Sequence, residues 1–174
     1  RWIQTYQDTV KIAAGLAHTH LVCVGDRESD IFELFDERRK RGGRVDLLVR
    51  VQHNRCLQGE EEKLFDFARQ GPAAAEVSIA VPRQREKPGK PSEPGQPAMP
   101  ARTAQVEVRF RELTSCAPKT PLLKHKQPIR LFAVSLWERH PPPGATPIEW
   151  ILLTTLEVRS LKQAMKCVRW YCLR

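Results

Sequence analysis

An acidic turn directly after a short apolar run is the clearest candidate for chemistry in this chain. Leu21 to Val24 is apolar, and Gly25-Asp26-Arg27-Glu28-Ser29-Asp30 follows at once. In open α/β sheets, ligand and metal sites collect at the carboxyl ends of strands, where the backbone holds a side chain rigidly and leaves its head exposed. Asp26 is therefore the first candidate for a catalytic residue. The alternative is an ordinary turn or helix-cap residue, since Asp and Ser are common before helices.

A strand, a helix and a second strand would position this turn. The pattern predicts a helix over residues 1–17, a buried strand over Leu21–Val24, a helix from Ser29 to about Arg41, and a strand over Leu47–Val51. This spacing favours a parallel pair of strands with a right-handed crossover. Arg50, His53 and Arg55 end or follow the second strand, so we expect them near the same sheet edge as Asp26.

The chain after residue 55 has a different pattern. Short alternating runs at 76–81, 104–110 and 129–134 are typical of half-solvated antiparallel strands. The segment Pro82–Pro100 carries six prolines, which favours a mobile loop over a packed element; a basic strap over DNA is the alternative. Trp150–Thr154 is predicted as a strand. Ser160 then caps a helix that continues to Arg174, with an apolar stripe of Leu161, Met165, Val168 and Cys172.

Charge and composition narrow the function classes. The 174 residues carry 29 Lys and Arg against 20 Asp and Glu, a net charge of +9 that favours polyanionic partners, although many small basic proteins bind no nucleic acid. The five cysteines are scattered and form no C-x-x-C pair, which argues against a disulfide framework or a zinc site and predicts reduced, mostly buried thiols. No apolar run is long enough to span a membrane, and we expect a cytoplasmic protein. Because the sequence starts at Arg1 and stops within a helical pattern, we expect it to be cut from a longer chain.

Four blocks of the sequence resemble one family when taken in order. They are Val24 to Ile31, Leu48 to Arg55, Pro147 to Thr155, and Tyr171-x-x-Arg174. Together they are similar to the catalytic blocks of bacterial cut-and-paste transposases of the insertion-sequence-four branch of the DDE family. The segment Pro82–Pro100 is the least similar part.

The resemblance implies an RNase H-like fold in which Asp, Asp and Glu hold two divalent ions, Mg²⁺ or Mn²⁺. Two such ions, about 3.5–4 Å apart, activate the attacking oxygen and stabilise the leaving oxygen of a phosphodiester. Asp26 would be the second acid. The first would lie upstream of Arg1, and the Glu would fall four residues after Arg174. One carboxylate cannot hold two ions, so we expect this fragment alone to be inactive. Asp30 could stand in as a ligand, but the role of an ordinary charge at a helix start is favoured for it.

The resemblance also assigns DNA-binding roles. Arg27, Arg50, His53, Arg55, Tyr171 and Arg174 would position DNA, and Glu28 would support Arg27 beside the acid. Trp150 would stack an extruded base of a DNA hairpin. From the residues alone, the alternatives stay open: a surface ion pair for Arg27 and Glu28, solvated basic loops, a core tryptophan, and an amphipathic helix with an Arg at its edge.

The sequence thus predicts an α/β protein with a partial RNase H-like fold, a βαβ unit plus C-terminal helix, interrupted by a β-rich antiparallel insertion. The expected division is a core part at 1–55, an insertion at 56–158 containing the loop 82–100, and the start of the catalytic helix at 159–174. The expected parent is a homodimeric transposase of the bacterial nucleoid that acts on double-stranded transposon ends and target DNA. The alternative is a non-catalytic basic DNA-binding relic or regulatory fragment. An RNA-binding protein would need exposed aromatics along a strand face, a pattern these strands lack.

Overall fold

A computed structural model shows a mixed α/β fold built on one six-stranded sheet. It describes residues 1–86, 88, 89, 95 and 98–174. In this part of the chain the strands are β1 (Leu21–Gly25), β2 (Val45–Arg50), β3 (Ala75–Val81), β4 (Arg102–Ser115), β5 (Ile129–Trp137) and β6 (Glu149–Thr154). The helices are α1 (Trp2–Ala14), α2 (Phe32–Arg41), α3 (Leu64–Arg69) and α4 (Leu161–Cys172), and Arg27–Ser29 forms a 3₁₀ turn.

The predicted βαβ unit is confirmed. β1 and β2 are parallel, with Leu21 opposite Val45 and Gly25 opposite Val49, and α2 connects them. β1 is the first strand in the sheet order, and no described residue pairs with its outer edge. For this reason Leu21–Val24 is only partly buried, and the prediction of a buried strand was wrong about its burial.

The predicted antiparallel strands are also confirmed, and they belong to the same sheet as the βαβ unit. The order is β1-β2-β6-β5-β4-β3, in which every pair except β1 and β2 is antiparallel. β6 pairs directly with β2, from Leu48 opposite Thr154 to Arg50 opposite Leu152. The sheet therefore continues across residue 55, where the core was expected to give way to an insertion. The division at 55 and 158 stays a prediction.

Apolar residues fill both faces of the sheet, because successive strand residues point to opposite sides. One face packs against α1, α2 and α3; its buried residues include Tyr6, Phe35, Leu47, Val49, Leu64, Phe67 and Leu153. The other face packs against α4; its buried residues include Leu48, Val106, Val134, Leu152, Val168 and Tyr171. Functional side chains on the second face must therefore share their surroundings with α4.

The C-terminal helix begins as predicted and buries a different stripe. The Ser160 hydroxyl accepts the N–H of Gln163 at 3.3 Å, which is an N-cap. The buried positions are Ala164, Cys167, Val168 and Tyr171, and the expected stripe ending at Cys172 is wrong because Cys172 is exposed. The helix ends at Cys172, so Arg174 lies just beyond it.

The proline-rich segment is described only in part. Gln84 and Met99 exchange two backbone hydrogen bonds, of 2.9 and 3.0 Å, so the hairpin of β3 and β4 continues past the strand ends. Residues 87, 90–94, 96 and 97, on which the predicted mobile loop and the basic strap depend, lie outside the described residues.

The cysteines are free, as expected, but their predicted burial is wrong. Only Cys167 is buried, while Cys23 and Cys116 are half-buried and Cys56 and Cys172 are exposed. Helix α4 accounts for the single buried thiol.

None of the helices in the described ranges has both the length and the apolar character that a membrane crossing requires. The predicted cytoplasmic location stays a prediction.

Candidate functional site

Three strand ends meet at one edge of the sheet and bring the predicted residues together. Because β1 and β2 are parallel, their carboxyl ends share this edge, and antiparallel β6 begins there. Val24, Leu48 and Leu152 all pack on the α4 face. Asp26 and Arg50 come two residues after Val24 and Leu48, and Trp150 comes two residues before Leu152, so the alternation places all three on that same face, nearer the edge.

A close approach of the chain determines the direction of Asp26. A Cβ atom on Gly25 would lie 2.0 Å from Ser29 Oγ and 2.9 Å from Ser29 Cβ, so no larger residue fits at position 25 without movement. Ser29 donates to the carbonyl oxygen of Asp26 from its amide at 2.8 Å and from its hydroxyl at 2.6 Å. The Asp26 carboxylate makes no side-chain cap hydrogen bond, and within the turn only the adjacent Arg27 amide contributes to lowering its pKa. The alternative role of helix cap therefore lacks the contact that defines it.

The Asp26 carboxylate contacts the end of α4 instead. The Tyr171 hydroxyl donates to Oδ1 at 3.1 Å, and Arg174 Nη1 lies 2.8 Å from Oδ2. The Asp26 side chain keeps 41% of its surface exposed. Burial alone would raise the pKa of Asp26, but the Arg27 amide, Arg174 and Tyr171 outweigh it and hold the pKa below its ordinary value. Asp26 is therefore an accessible carboxylate that stays ionised at neutral pH.

Aromatic and cationic groups surround this carboxylate. The rings of Tyr171 and Trp150 meet edge to face, with centroids 5.3 Å apart at 67°. The Arg50 guanidinium lies 5.6 Å from the Trp150 ring centroid, and that of Arg174 lies 4.7 Å from the Tyr171 ring centroid. Burial raises the pKa of Tyr171, while Arg50 opposes this shift. The phenol therefore stays protonated and can donate to Asp26.

A cleft of about 270 Å³ opens beside Trp150, and we call it the tryptophan cleft. Its lining includes Arg27, Arg50, Phe65, Arg69, Trp137 and Trp150. Arg69 is paired with Glu149 at 3.0 Å, whereas Arg27 is exposed and forms no ion pair with another described residue. Guanidinium groups beside aromatic faces suit a ligand that has both phosphates and bases.

Asp30 and Arg55 form a separate, buried pair. Asp30 is 0% exposed; it accepts Arg55 Nη1 at 2.5 Å and the backbone amides of Gln52 and His53 at 2.7 and 2.8 Å. Asp30 is therefore not an accessible stand-in ligand. Asp30 directly precedes Ile31, the N-cap of α2, and its carboxylate joins the turn to the segment after β2.

Two of the predicted DNA contacts lie outside the tryptophan cleft. The Arg55 guanidinium is enclosed with Asp30 and is 7% exposed, which favours a structural role, and its assignment to DNA stays a prediction. His53 is exposed, but it lines a second cleft with Arg55, Cys56 and Cys116, away from the tryptophan cleft. Its amide, rather than its ring, has a defined partner in Asp30. Glu28 is exposed and makes no ion pair with Arg27, so the predicted surface pair is absent from the described residues.

The donor groups at this edge do not fit two divalent ions. No group of three or more His, Cys, Asp and Glu residues that could hold a metal lies within the described ranges. Asp26 is paired with Arg174, and Asp30 is enclosed by Arg55. One accessible carboxylate is short of what hard cations such as Mg²⁺ require.

Sequence reasoning missed the contribution of α3. This helix places Phe65 and Arg69 in the tryptophan cleft. The signal was short but present, because Leu64, Phe67 and Ala68 recur at helical spacing and all three are buried. Trp137 was also missed, and the register of β5 explains its place, since Trp137 is opposite Glu149.

A comparison of the sequence with models of known protein families found no match.

Proposed function

We propose that this chain is part of the catalytic domain of a DDE transposase with an RNase H-like fold. Such an enzyme hydrolyses phosphodiester bonds at transposon ends and joins the freed 3′-hydroxyl to target DNA. The observation that carries the proposal is the contact of Asp26 with Tyr171, 145 residues apart in sequence. The sequence blocks that resemble the family are thus neighbours in space, which their spacing in the sequence did not require.

The strand arrangement supports the same proposal. The acid ends one strand of a parallel pair, and a C-terminal helix packs on the face that the acid occupies. The outer edge of β1 has no strand partner among the described residues. In the proposed fold, a further strand carrying the first acid would pair with this edge.

The residues of this chain would act by binding and orientation. Tyr171 and Arg174 hold the Asp26 carboxylate in one position. Arg27 and Arg50 would bind backbone phosphates, and Trp150 would stack an unpaired base. The proposed parent enzyme uses Mg²⁺ or Mn²⁺, with its remaining carboxylates outside these 174 residues, and acts as a homodimer on double-stranded DNA of the bacterial nucleoid.

Strand cleavage tests the proposal. The protein encoded by the complete reading frame should nick transposon-end DNA in the presence of Mg²⁺, and Asp26→Asn should lower this activity at least about 100-fold, comparable to removing one key electrostatic group from an active site. Glu76→Gln is the matched control, since Glu76 is an exposed acid on β3, at the other edge of the sheet, and forms no ion pair with another described residue. Cleavage that survives Asp26→Asn at the level of Glu76→Gln would overturn the assignment.

One observation favours the alternative of a non-catalytic DNA-binding protein. Arg174 already neutralises Asp26 at 2.8 Å, so the carboxylate is used within the chain. The two functions separate in the same assay. A DNA-binding protein would hold the DNA without cutting it, whichever residue occupies position 26.

A further inference from the structure

A cleft at the end of α3 has no part in the site above. It measures about 480 Å³ and is lined by Gln70, Gly71, Arg109 and Arg111, among others. Arg109 and Arg111 are two residues apart on β4, so both side chains lie on the face that packs against α3. We call this the arginine cleft.

Arg109 is a buried cation with an incomplete set of partners. Its side chain is 6% exposed; Nε donates to the Gly71 carbonyl at 3.0 Å, and Nη2 donates to Glu107 at 2.7 Å. Its Nη1 is buried and has no hydrogen-bond partner among the described residues. Buried donors are nearly always satisfied, and an unsatisfied donor on a charged group is the most expensive kind. An oxygen acceptor would complete the hydrogen bonds of this guanidinium.

Arg111 adds a second guanidinium, which, unlike that of Arg109, has no carboxylate partner among the described residues. It lies 3.8 Å from the Phe67 ring centroid, and its Nη1 donates to the Phe67 carbonyl at 2.9 Å. No described acid forms an ion pair with it. A guanidinium held flat on a ring is preorganised for a further bond, and two of them suit the oxygens of a phosphate.

We propose that Arg109 and Arg111 form a phosphate site that a backbone phosphate of bound DNA occupies. The choice of DNA rests on the proposed function, whereas the phosphate chemistry does not. Arg109 is opposite Ser135 on β5, and Ser135 also lines the tryptophan cleft. The Ser135 hydroxyl donates to the Ala68 carbonyl of α3, so the tryptophan cleft reaches the α3 face of the sheet, where the arginine cleft begins on the neighbouring strand. A DNA strand in the tryptophan cleft would therefore pass the arginine cleft.

The salt dependence of DNA binding tests this site. Loss of one phosphate contact lowers the slope of log K against log salt by about 0.9. We expect Arg111→Gln, introduced into the 174-residue chain, to lower this slope by about 0.9. Binding to a 20-base-pair duplex is measured by fluorescence anisotropy at several salt concentrations. Arg44→Gln is the control, because Arg44 is an exposed arginine before the start of β2 and pairs with no described acid. Its slope should differ from that of the wild type only within error.

Inorganic phosphate separates the two sources of the ligand. The Arg109 Nε–H signal in NMR spectra should shift when duplex DNA is added to the protein at micromolar concentration. Inorganic phosphate should shift the same signal only when the phosphate reaches millimolar concentration. A shift with inorganic phosphate and an unchanged salt slope in Arg111→Gln would keep the anion site but overturn DNA as its occupant. No shift with either ligand would overturn the site. If the chain binds no DNA at all, the proposed function fails, and the phosphate titration still decides whether the site exists.

Discussion

Asp26 and Asp30 are four residues apart on the same turn, and the fold treats them in opposite ways. Asp30 is fully buried, and its carboxylate is satisfied by Arg55 and two backbone amides. Asp26 is about two-fifths exposed and takes its donors from α4, at the far end of the chain. Sequence spacing alone made both of them candidate ligands.

The difference shows how burial separates an acid that stabilises the fold from an acid that is accessible to a ligand. A buried ion pair is sensitive to loss of either partner, since the remaining charge stays in a low-dielectric interior. An exposed, hydrogen-bonded carboxylate adds little to stability and is accessible to a ligand.

Removal of Asp30 should have the largest effect. Asp30→Ala leaves the buried Arg55 guanidinium without its partner, and we expect the free energy of unfolding to fall by about 3–5 kcal/mol. Asp26→Ala should lower it by no more than about 1 kcal/mol. Urea denaturation of both variants measures the difference. Equal losses would contradict the distinction between the two acids.

A methyl group at position 25 should have the next largest effect. Gly25→Ala would place Cβ against Ser29, and we expect a loss of about 1–3 kcal/mol, since overpacked sites move backbone and side chains. Adding Ser29→Gly removes the atoms that clash. In thermal or urea denaturation the double variant should therefore be more stable than the sum of the two single changes. Strict additivity would show that the close approach does not constrain the turn.

Tyr171→Phe should act mainly on the carboxylate of Asp26. Removing the hydroxyl takes away one donor, so the pKa of Asp26 should rise toward its ordinary value, at a stability loss of about 1 kcal/mol. The titration of the Asp26 carboxyl carbon followed by NMR measures the shift. Tyr6→Phe is the matched control, because the Tyr6 hydroxyl donates to the Val45 carbonyl on the other face. The same pKa in Tyr171→Phe and wild type would contradict the contact.

The smallest effect should be that of Asp26→Asn on stability at acid pH. The pKa of Asp26 is lowered in the folded state, so its contribution is present above the ordinary value of 3.8 and is lost as the pH falls below it. Asp26→Asn should therefore lose slightly less stability than the wild type on acidification. Asp36→Asn should show a larger difference, because Arg39, Lys40 and Lys126 overcome burial and lower the pKa of Asp36 to about 2. Urea unfolding between pH 5 and 2 measures both variants.

Local sequence patterns predicted most of the secondary structure. The errors concern which residues are buried, because burial depends on tertiary packing. Leu21–Val24 has the composition of a buried strand, but burial depends on neighbours, and β1 is at the edge of the described sheet. The helix after Ser160 was placed correctly by its cap. Its buried stripe was shifted because the apolar Cys172 lies outside the contact with the sheet.

The candidate site was predictable in part. Asp26, Tyr171 and Trp150 were named from sequence blocks, and the structure brings them together. The burial of Arg55 was not predictable, since a basic residue after a strand gives the same sequence pattern whether it is solvated or paired with a buried acid. The arginine cleft had no signal in the sequence, because only the pairing of β4 and the position of α3 create it.

We propose that DNA binds at the edge of the sheet that holds Asp26 and Trp150. The chain has four tryptophans, and Trp2 lies on α1 against the opposite face of the sheet. Indole N–H signals in NMR spectra during a titration with hairpin DNA therefore report on several sites at once. We expect the Trp150 signal to shift and saturate while the Trp2 signal stays in place. A bound complex in which Trp150 does not move, or in which Trp2 moves instead, would contradict it.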